Sequence, residues 1–167
     1  VSAEGARTEA GVMHDVMLDI ETLGVSPGSA IVSIGAVYFG DDGCGAVFYR
    51  VIDVLDSLLH GLRVDENTVA WWRQQTPAAR AALGANDARR GLGDVLADFG
   101  QFLALAERVW SKGPDFDLVL LQAAYGAVKM PLPWKYRDAR DVRTILGLSR
   151  AWVGATTRAT HHHALHD

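Results

Sequence analysis

The sequence has almost no means of covalent cross-linking and no segment suited to a membrane. Cys44 is its one cysteine, so an internal disulfide is excluded and a reducing, cytoplasmic setting is expected. No apolar run approaches the length of a membrane-spanning helix. Basic residues are also in the minority, with 16 Lys and Arg against 20 Asp and Glu, which gives a net charge of −4. That balance argues against the binding of nucleic acid through a broad basic surface.

The composition that remains is typical of one globular domain. Hydrophobic residues make up 49% and charged residues 22% of the 167 residues, a length that allows a substantial core. The small and polar residues 1–12 predict a disordered tail or a remnant of cloning, followed by a single domain over residues 13–167. The last helix of this domain, which the pattern begins near Thr160, is expected to be truncated at Asp167.

Three β-rich runs separated by turn residues open the domain, at residues 16–23, 30–39 and 46–52. The Gly and Pro turns between them predict an antiparallel meander. Beyond these runs, helical patterns alternate with short strand-like segments at 108–111 and 134–136. Asp65-Glu66-Asn67 supplies a cap and early acids for a helix that continues over residues 69–75. Further helices are expected at residues 78–83, 92–107, 116–128 and 142–148. The sequence therefore predicts an α/β domain in which helices pack on a mixed five-stranded sheet.

Two carboxylates lie one residue apart within the first apolar run. Because alternate side chains of a strand share a face, Asp19 and Glu21 point the same way from a segment that otherwise belongs to a core. At a separation of about 4 Å and an effective dielectric of about 20, their repulsion would cost on the order of 4 kcal/mol. Either a hard divalent cation such as Mg²⁺ or Mn²⁺ lies between them, or the strand ends in solvent and the acids are hydrated.

A second pair of acids, Asp115 and Asp117, follows the Gly113-Pro114 turn where a short strand gives way to a helix. A carboxylate at this position can cap the helix. It can also belong to a site, because α/β sheets place their sites at the carboxyl ends of strands. Since only one of the two acids is needed as a cap, the other is a candidate site residue.

The C-terminal residues His161-His162-His163-Ala164-Leu165-His166-Asp167 admit three interpretations. They are a tag remnant, a zinc-binding cluster in which His162 and His166 share a helix face, or a catalytic histidine with a carboxylate. No cysteine ligand accompanies the histidines, and the acids elsewhere suit a harder metal than zinc.

Taken together, these motifs resemble the DEDDh subgroup of the DnaQ-like 3′-5′ exonucleases, which have an RNase H-like fold. The first motif of that family, Asp-x-Glu-Thr on the first strand, matches residues 19–22. The second, an acid after Phe at a strand-to-helix junction, matches Phe116-Asp117. The third, His followed by four residues and Asp, matches His162 and Asp167, and the chain looks most like the small RNase T-like exoribonucleases of actinobacteria and phages. Family members continue the last helix past the final Asp, whereas this sequence stops on it.

The resemblance implies a metal-dependent site. Asp19, Glu21, Asp117 and Asp167 would bind two Mg²⁺ or Mn²⁺ ions, and His162 would act as the general base. Helix geometry alone leaves the choice of base open, because on an ideal helix His163, rather than His162, shares a face with Asp167.

The resemblance also implies the substrate, which would be the 3′ end of single-stranded nucleic acid, with RNA favoured over DNA and a nucleoside 5′-monophosphate as product. Three alternatives stay open: a DNA-directed proofreading or repair exonuclease, a catalytically silent nucleotide- or nucleic-acid-binding module of the same fold, and a zinc-binding interaction domain. No membrane partner is expected, and the family branch suggests a homodimer.

Two further segments look like parts of the RNase T-like branch, one around Trp71-Trp72 and one around Arg137, Arg140 and Arg143. Neighbouring helix positions are about 100° apart, so the two tryptophans cannot both face one core. One of them would line a groove, an interface or a base-stacking surface, or the pair is structural. The arginines either hold phosphate or form ion pairs with Asp138 and Asp141, and we expect the ion pairs. The candidate substrate-binding residues are Thr22, Leu23, Trp71, Trp72, Gln75 and Phe116.

Overall fold

The computed structural model describes residues 7–8, 11–84, 89–149 and 163–164. The strands in these residues are β1 (Arg7–Thr8), β2 (Gly11–Val12), β3 (Asp15–Thr22), β4 (Ile31–Gly40), β5 (Gly43–Ile52), β6 (Arg89–Arg90), β7 (Arg108–Ser111) and β8 (Ala139–Asp141). The α-helices are α1 (Val54–Leu59), α2 (Glu66–Arg73), α3 (Pro77–Gly84), α4 (Leu92–Phe102), α5 (Asp117–Ala127) and α6 (Val142–Ser149). Short 3₁₀ turns occur at Leu103–Leu105 and Tyr136–Asp138.

The main sheet is mixed and has the strand order β6-β5-β4-β3-β7-β8. Its centre is the antiparallel meander β3-β4-β5, as the three β-rich runs predict. The outer pairings, β3 with β7, β7 with β8 and β5 with β6, are all parallel. Strands β1 and β2 form a separate two-stranded sheet within the segment for which a tail is predicted.

The predicted α/β class and the meander are confirmed, but the count of five strands is wrong, since the described residues alone form a sheet of six. The additional strand β6 consists of two exposed arginines, so it carries no hydrophobic alternation that could reveal it. The strand expected at 134–136 lies further along the chain, at β8, and a 3₁₀ turn precedes it. Helix α1 was not anticipated either, because it is only six residues long and leaves a single buried residue, Ser57.

The core lies on one face of the sheet. Val16, Leu18 and Ile20 of β3 point into it and meet the buried faces of α4 and α5. The hydroxyl of buried Tyr38 donates to the carbonyl of Phe102 at 2.8 Å, which satisfies a polar group inside this layer. Because side chains alternate along β3, this packing leaves Asp19 on the opposite face of the sheet.

Helix α2 is fixed to the carboxyl end of β3. Asp65 caps the helix by accepting from the backbone N–H of Thr68 at 2.8 Å, as its position before Glu66 predicts. The backbone N–H of the same residue donates to the carbonyl of Leu23 at 2.7 Å. The helix that carries Trp71 is thereby held beside the strand that carries the acid pair.

The sequence predicts ion pairs of Arg137, Arg140 and Arg143 with Asp138 and Asp141. None of these ion pairs is formed in the described part of the chain. Asp138 accepts from the backbone N–H of Lys135 at 2.8 Å. Asp141 accepts from the hydroxyl of Thr144 at 2.7 Å and from the backbone N–H of Arg143 at 3.0 Å. Both carboxylates are used as local caps, so the arginine side chains are left for other contacts.

None of the described helices is long and apolar enough to cross a membrane.

Candidate active site

The acid pair of β3 lies at the end of an otherwise apolar strand. The paired residues Asp19 and Gly35 of neighbouring strands share a face, as do Glu21 and Ser33. Glu21 is only 8% exposed, which argues against the alternative in which the strand ends in solvent. Both acids have interaction partners in the structure. The β3 acids therefore form part of a polar site on the sheet face opposite the main core, with Glu21 buried and Asp19 half-buried.

The third predicted acid, Asp117, is the first residue of α5 and is 4% exposed. The backbone N–H of Ile20, the residue between the two β3 acids, lies close enough to lower the pKa of the Asp117 carboxyl. Burial raises the pKa of Asp117 to about 6, although Ser111, backbone N–H groups and the positive charge of Arg143 oppose the shift. The Ser111 hydroxyl is buried and makes no hydrogen bond of regular geometry among the described residues. The structure thus brings Asp117 to the end of β3.

The capping role considered for Asp115 and Asp117 is not what the structure shows. Phe116 is the N-cap residue of α5, and no side chain caps it. Asp115 is exposed, whereas Asp117 is buried against β3. Of the two acids, the buried one is the candidate site residue.

Two of the predicted site residues, His162 and Asp167, lie outside the described residues. Their neighbours His163 and Ala164 are described, and both lie on the sheet face that carries the acids. The ring of His163 stacks on Tyr49 with centroids 4.5 Å apart and an interplanar angle of 16°. Ala164 is buried and closes a small cavity of about 40 Å³ whose wall includes Asp19. The described residues His163 and Ala164 therefore lie next to Tyr49 and to the cavity that Asp19 lines.

Tyr49 is a site residue that sequence reasoning missed. It pairs with Gly35, which pairs in turn with Asp19, so the three residues form a row across β5, β4 and β3. Burial raises the pKa of its hydroxyl, a hydrogen bond with Ser33 lowers it, and the negative charge of Glu21 raises it further. To find Tyr49 from the sequence, the register of the β4–β5 hairpin would have to be known. A β-bulge between Val37 and Phe39 shifts that register, and no sequence motif indicates the bulge.

An open cavity of about 540 Å³ adjoins the acids. Glu21 belongs both to the acid group and to the cavity wall. Apolar and aromatic side chains supply most of the remaining lining, and Asp65, Asn67 and Thr68 add polar groups at one side. Four of the predicted substrate-binding residues line it: Thr22, Trp71, Trp72 and Phe116. Its size and lining are typical of a small-molecule or nucleotide site.

The structure distinguishes the two tryptophans of α2. Trp72 is 4% exposed, and its indole N–H donates to the carbonyl of Thr22 at 2.9 Å. Trp71 is 42% exposed and lies edge-on to Trp72, with centroids 5.0 Å apart. Trp72 thus anchors α2 to β3, and Trp71 presents a ring at the cavity.

The two remaining predicted residues, Leu23 and Gln75, have structural contacts and are not among the cavity-lining residues. The backbone of Leu23 joins the turn at Ala30 and the helix cap at Asp65, with N···O distances of 2.9 and 2.7 Å. The side-chain amide of Gln75 donates to the carbonyl of Trp71 at 3.1 Å. Leu23 and Gln75 therefore stabilise the end of β3 and helix α2, whose residues line the cavity.

The described acids suit a hard metal in their chemistry. Within the described residues, no group of three or more His, Cys, Asp or Glu side chains forms a metal site. Asp19, Glu21 and Asp117 nevertheless offer oxygen donors, and Asp117 is buried at a cost to its charged form. A divalent cation would offset that cost, so these donors fit Mg²⁺ or Mn²⁺ better than a soft metal.

The chain matches the family model of the 3'-5' exoribonuclease Rv2179c-like domain over residues 14–167. The chain belongs to this Rv2179c-like family. A relative from Enterobacteria phage T4, named exodeoxyribonuclease, is 22% identical, and the match covers 79% of this chain and 70% of the phage protein. Family membership and this relative support a 3′-5′ exonuclease, and therefore a nucleic-acid hydrolase.

Solved structures of exonucleases resemble this Rv2179c-like chain in fold. E. coli Exonuclease I in complex with a dT13 oligonucleotide has a TM-score of 0.58 at 13% identity, over 82% of this chain and 29% of that chain. The ExoI/SSB-Ct complex has a TM-score of 0.59 at 12% identity, over 85% and 32%. The present chain thus spans about a third of the length of those chains. These neighbours confirm the expected RNase H-like fold.

The raised pKa of Asp117 predicts a pH-dependent stability for the metal-free Rv2179c-like chain. Folded Asp117 keeps its proton up to about pH 6, whereas the unfolded chain releases it near the ordinary value of 3.8. Stability should therefore fall as the pH rises through this window, with about 3 kcal/mol as the upper bound of the loss. Asp117→Asn, which removes the charge, should raise the midpoint of urea unfolding at pH 8 in chelator.

The control for this experiment is Asp115→Asn, which changes an exposed acid two residues away. Its unfolding midpoint should match that of the unsubstituted chain at both pH 4 and pH 8. The advantage of Asp117→Asn should shrink at pH 4, where the folded carboxyl is protonated. Equal or lower stability of Asp117→Asn at pH 8 would show that the buried charge carries no such cost.

Proposed function

We propose that the chain is a two-metal-ion 3′-5′ exonuclease that hydrolyses phosphodiesters at the 3′ end of single-stranded nucleic acid and releases nucleoside 5′-monophosphates. The observation that carries the proposal is the position of Glu21, which belongs both to the acid group and to the wall of a cavity large enough for a nucleoside. A terminal nucleoside in that cavity would have its phosphate beside the acids. Glu21 would then contribute both to binding of the terminal nucleoside and to hydrolysis of its phosphodiester.

Asp19, Glu21 and Asp117, with Asp167 on the family resemblance, would hold the divalent cations. When bound, Mg²⁺ or Mn²⁺ would neutralise charge that develops on the phosphate oxygens and lower the pKa of the attacking water. His162, again on the resemblance, would accept the proton of that water and must therefore be neutral. The buried Asp117 carboxyl would be ionised when a cation is present, because a nearby positive charge lowers its pKa.

The cavity suits a nucleoside better than a phosphate. Its wall includes Val25, Trp71 and Phe116, which are apolar or aromatic, and a base has an apolar face that stacks on such rings. Thr22 and Asn67 contribute polar groups that could meet the edge of a base or the sugar. The exposed ring of Trp71 is the natural stacking surface, since Trp72 is already used as an anchor.

RNA is the favoured substrate because the matching family model describes exoribonucleases. A DNA-directed exonuclease is the second candidate, since the phage relative is named exodeoxyribonuclease and the similar Exonuclease I structure holds a dT13 oligonucleotide.

We also propose that the chain forms a homodimer, because Leu55 and Leu59 of α1 are large apolar side chains exposed to solvent.

Digestion of end-labelled single strands tests the activity. RNA and DNA of the same sequence, each labelled at the 5′ end, are incubated with the protein and Mg²⁺ or Mn²⁺. The label should appear in a ladder of fragments that shorten stepwise from the 3′ end, with RNA consumed faster. Asp19→Ala should lower the rate by at least about 1000-fold, because it removes a metal ligand.

Asp41→Ala is the matched control, since Asp41 is an exposed acid in the turn between β4 and β5. It should digest RNA at the unsubstituted rate. Faster digestion of DNA would assign the DNA-directed alternative. Absence of cleavage by folded protein in either metal would leave the catalytically silent binding module.

Substitution of the two tryptophans separates binding from folding. Trp71→Ala should weaken nucleoside 5′-monophosphate binding by about 5- to 100-fold, the usual range for loss of a stacking partner, with little change in stability. Trp72→Phe should instead destabilise the fold by about 1–3 kcal/mol, because the Thr22 carbonyl loses its buried donor. Calorimetric titration and urea unfolding measure the two effects. Unchanged affinity in Trp71→Ala would exclude the cavity as the nucleoside site.

A further inference from the structure

Arg143 is placed where local helix energetics disfavour it. It is the second residue of α6, and its side chain is exposed. The N-terminus of a helix carries partial positive charge, so an arginine in the first turn is destabilising there. The carboxylate of Asp141, which directly precedes α6, offsets part of this cost, since it accepts from the backbone N–H of Arg143 at 3.0 Å. An exposed arginine at this position is a candidate for a role outside its own helix.

The guanidinium of Arg143 lies against the turn that leads into the active site. A Cβ atom added to Gly113 would lie 2.5 Å from Arg143 Nη1 and 3.3 Å from its Cζ. Gly113 also has a φ of +127°, a conformation that side chains rarely adopt. Its carbonyl accepts from the backbone N–H groups of Phe116 and Asp117, at 2.9 and 3.3 Å. The glycine therefore leaves room for the arginine beside the residues that begin α5.

The charge of Arg143 acts on the buried carboxyl of Asp117 and on the carboxylate of Asp141 before its own helix, without an ion pair to either. Among the described residues, no carboxylate lies within salt-bridge distance of its side chain. By contrast, Arg140 uses its guanidinium locally, donating to the carbonyls of Arg137 and Ala139 at 2.6 and 2.8 Å. Arg143 thus offers an exposed cation next to an acidic site.

A nucleic-acid strand that enters this site can use such a cation. The strand carries one negative charge per phosphate, and the proposed metal ions would neutralise only the phosphate next to the acids. Phe116 lines the cavity, and its backbone N–H donates to the carbonyl of Gly113 at 2.9 Å, so the Gly113 turn adjoins the cavity. A strand whose terminal nucleoside occupies the cavity could therefore continue across this turn. Arginine suits that position, because its planar guanidinium binds phosphate oxygens in pairs.

We propose that Arg143 binds a phosphate of the substrate strand on the 5′ side of the scissile bond, with Gly113 providing the space for its guanidinium. This inference rests on the proposed exonuclease function. It assigns Arg143 a contact with the strand and not with the terminal nucleotide, because Arg143 is not among the cavity-lining residues.

The test compares Arg143→Gln and Arg143→Lys with Arg137→Gln, which removes another exposed arginine of the same segment. Each is combined with Asp19→Ala to stop hydrolysis, and a fluorescent single-stranded oligonucleotide is titrated at several salt concentrations. Arg143→Gln should weaken binding about tenfold, as expected for loss of a charged hydrogen bond. It should also reduce the slope of log K against log salt by about 0.7, the value for one lost phosphate contact on a single strand.

Arg143→Lys should keep the salt slope, since the charge is kept, while losing part of the affinity. Arg137→Gln should change neither quantity. Affinity for a nucleoside 5′-monophosphate should be the same in all variants, because that ligand has no phosphate upstream of the scissile bond. Thermal unfolding midpoints should change little, because both arginines are exposed and Asp141 offsets part of the cost of Arg143 at the helix N-terminus.

An unchanged salt slope in Arg143→Gln would overturn the proposal, and so would an equal loss of nucleoside monophosphate binding. Failure of the proposed function is a separate result, because it is seen in the unsubstituted chain as an absence of strand shortening. If the unsubstituted chain digests the strand and Arg143→Gln keeps its salt slope, only the role of Arg143 is rejected.

Discussion

The burial of carboxylates at the end of β3 is the constraint on which the rest of this structure depends. Asp19 and Glu21 share one face of β3, and Asp117 lies near the backbone of the residue between them. Such an arrangement is unfavourable for a fold alone, because Glu21 and Asp117 are removed from water and burial raises the pKa of Asp117. Three features of the fold hold these acids in place. Strand β3 is paired within the meander, and the indole of Trp72 binds α2 to the end of β3. The Gly113 turn positions Asp117 at the start of α5. We interpret the buried acids as a site that lowers the stability of the metal-free chain and becomes stable when cations and a nucleic-acid strand are bound.

The arrangement also separates two tasks across the sheet. The core face of β3 packs on α4 and α5 and supplies the stability. The other face holds the acids, Tyr49 and the described part of the C-terminal histidine segment, and the cavity opens at the strand end between β3 and α2. Side-chain alternation along one strand is sufficient to produce this division. A nucleoside in the cavity and a strand crossing the Gly113 turn would then meet the acids from two sides.

Much of this could be predicted from the sequence, because the relevant signals are local. The Asp19 and Glu21 spacing defines a shared face, Asp65 before Glu66 defines a helix cap, and Gly and Pro turns define the meander. The edge strands β6 and β8 could not be predicted, since they are two and three residues long and are formed by pairing with a neighbour. The same limit applies to the tryptophans. Helix geometry shows that they face different ways, but only the contact of Trp72 with the Thr22 carbonyl decides which of them is the anchor. Tyr49 reaches the site through strand register, which the sequence does not encode in any short motif.

The most direct test of the central claim is a crystal structure of the chain with Mn²⁺ and a nucleoside 5′-monophosphate, with diffraction recorded at the manganese absorption edge. The account predicts anomalous density between the carboxylates of Asp19, Glu21 and Asp117, and a base stacked on the ring of Trp71 in the adjoining cavity. Manganese bound away from these carboxylates, or a nucleotide bound outside the cavity, would contradict it.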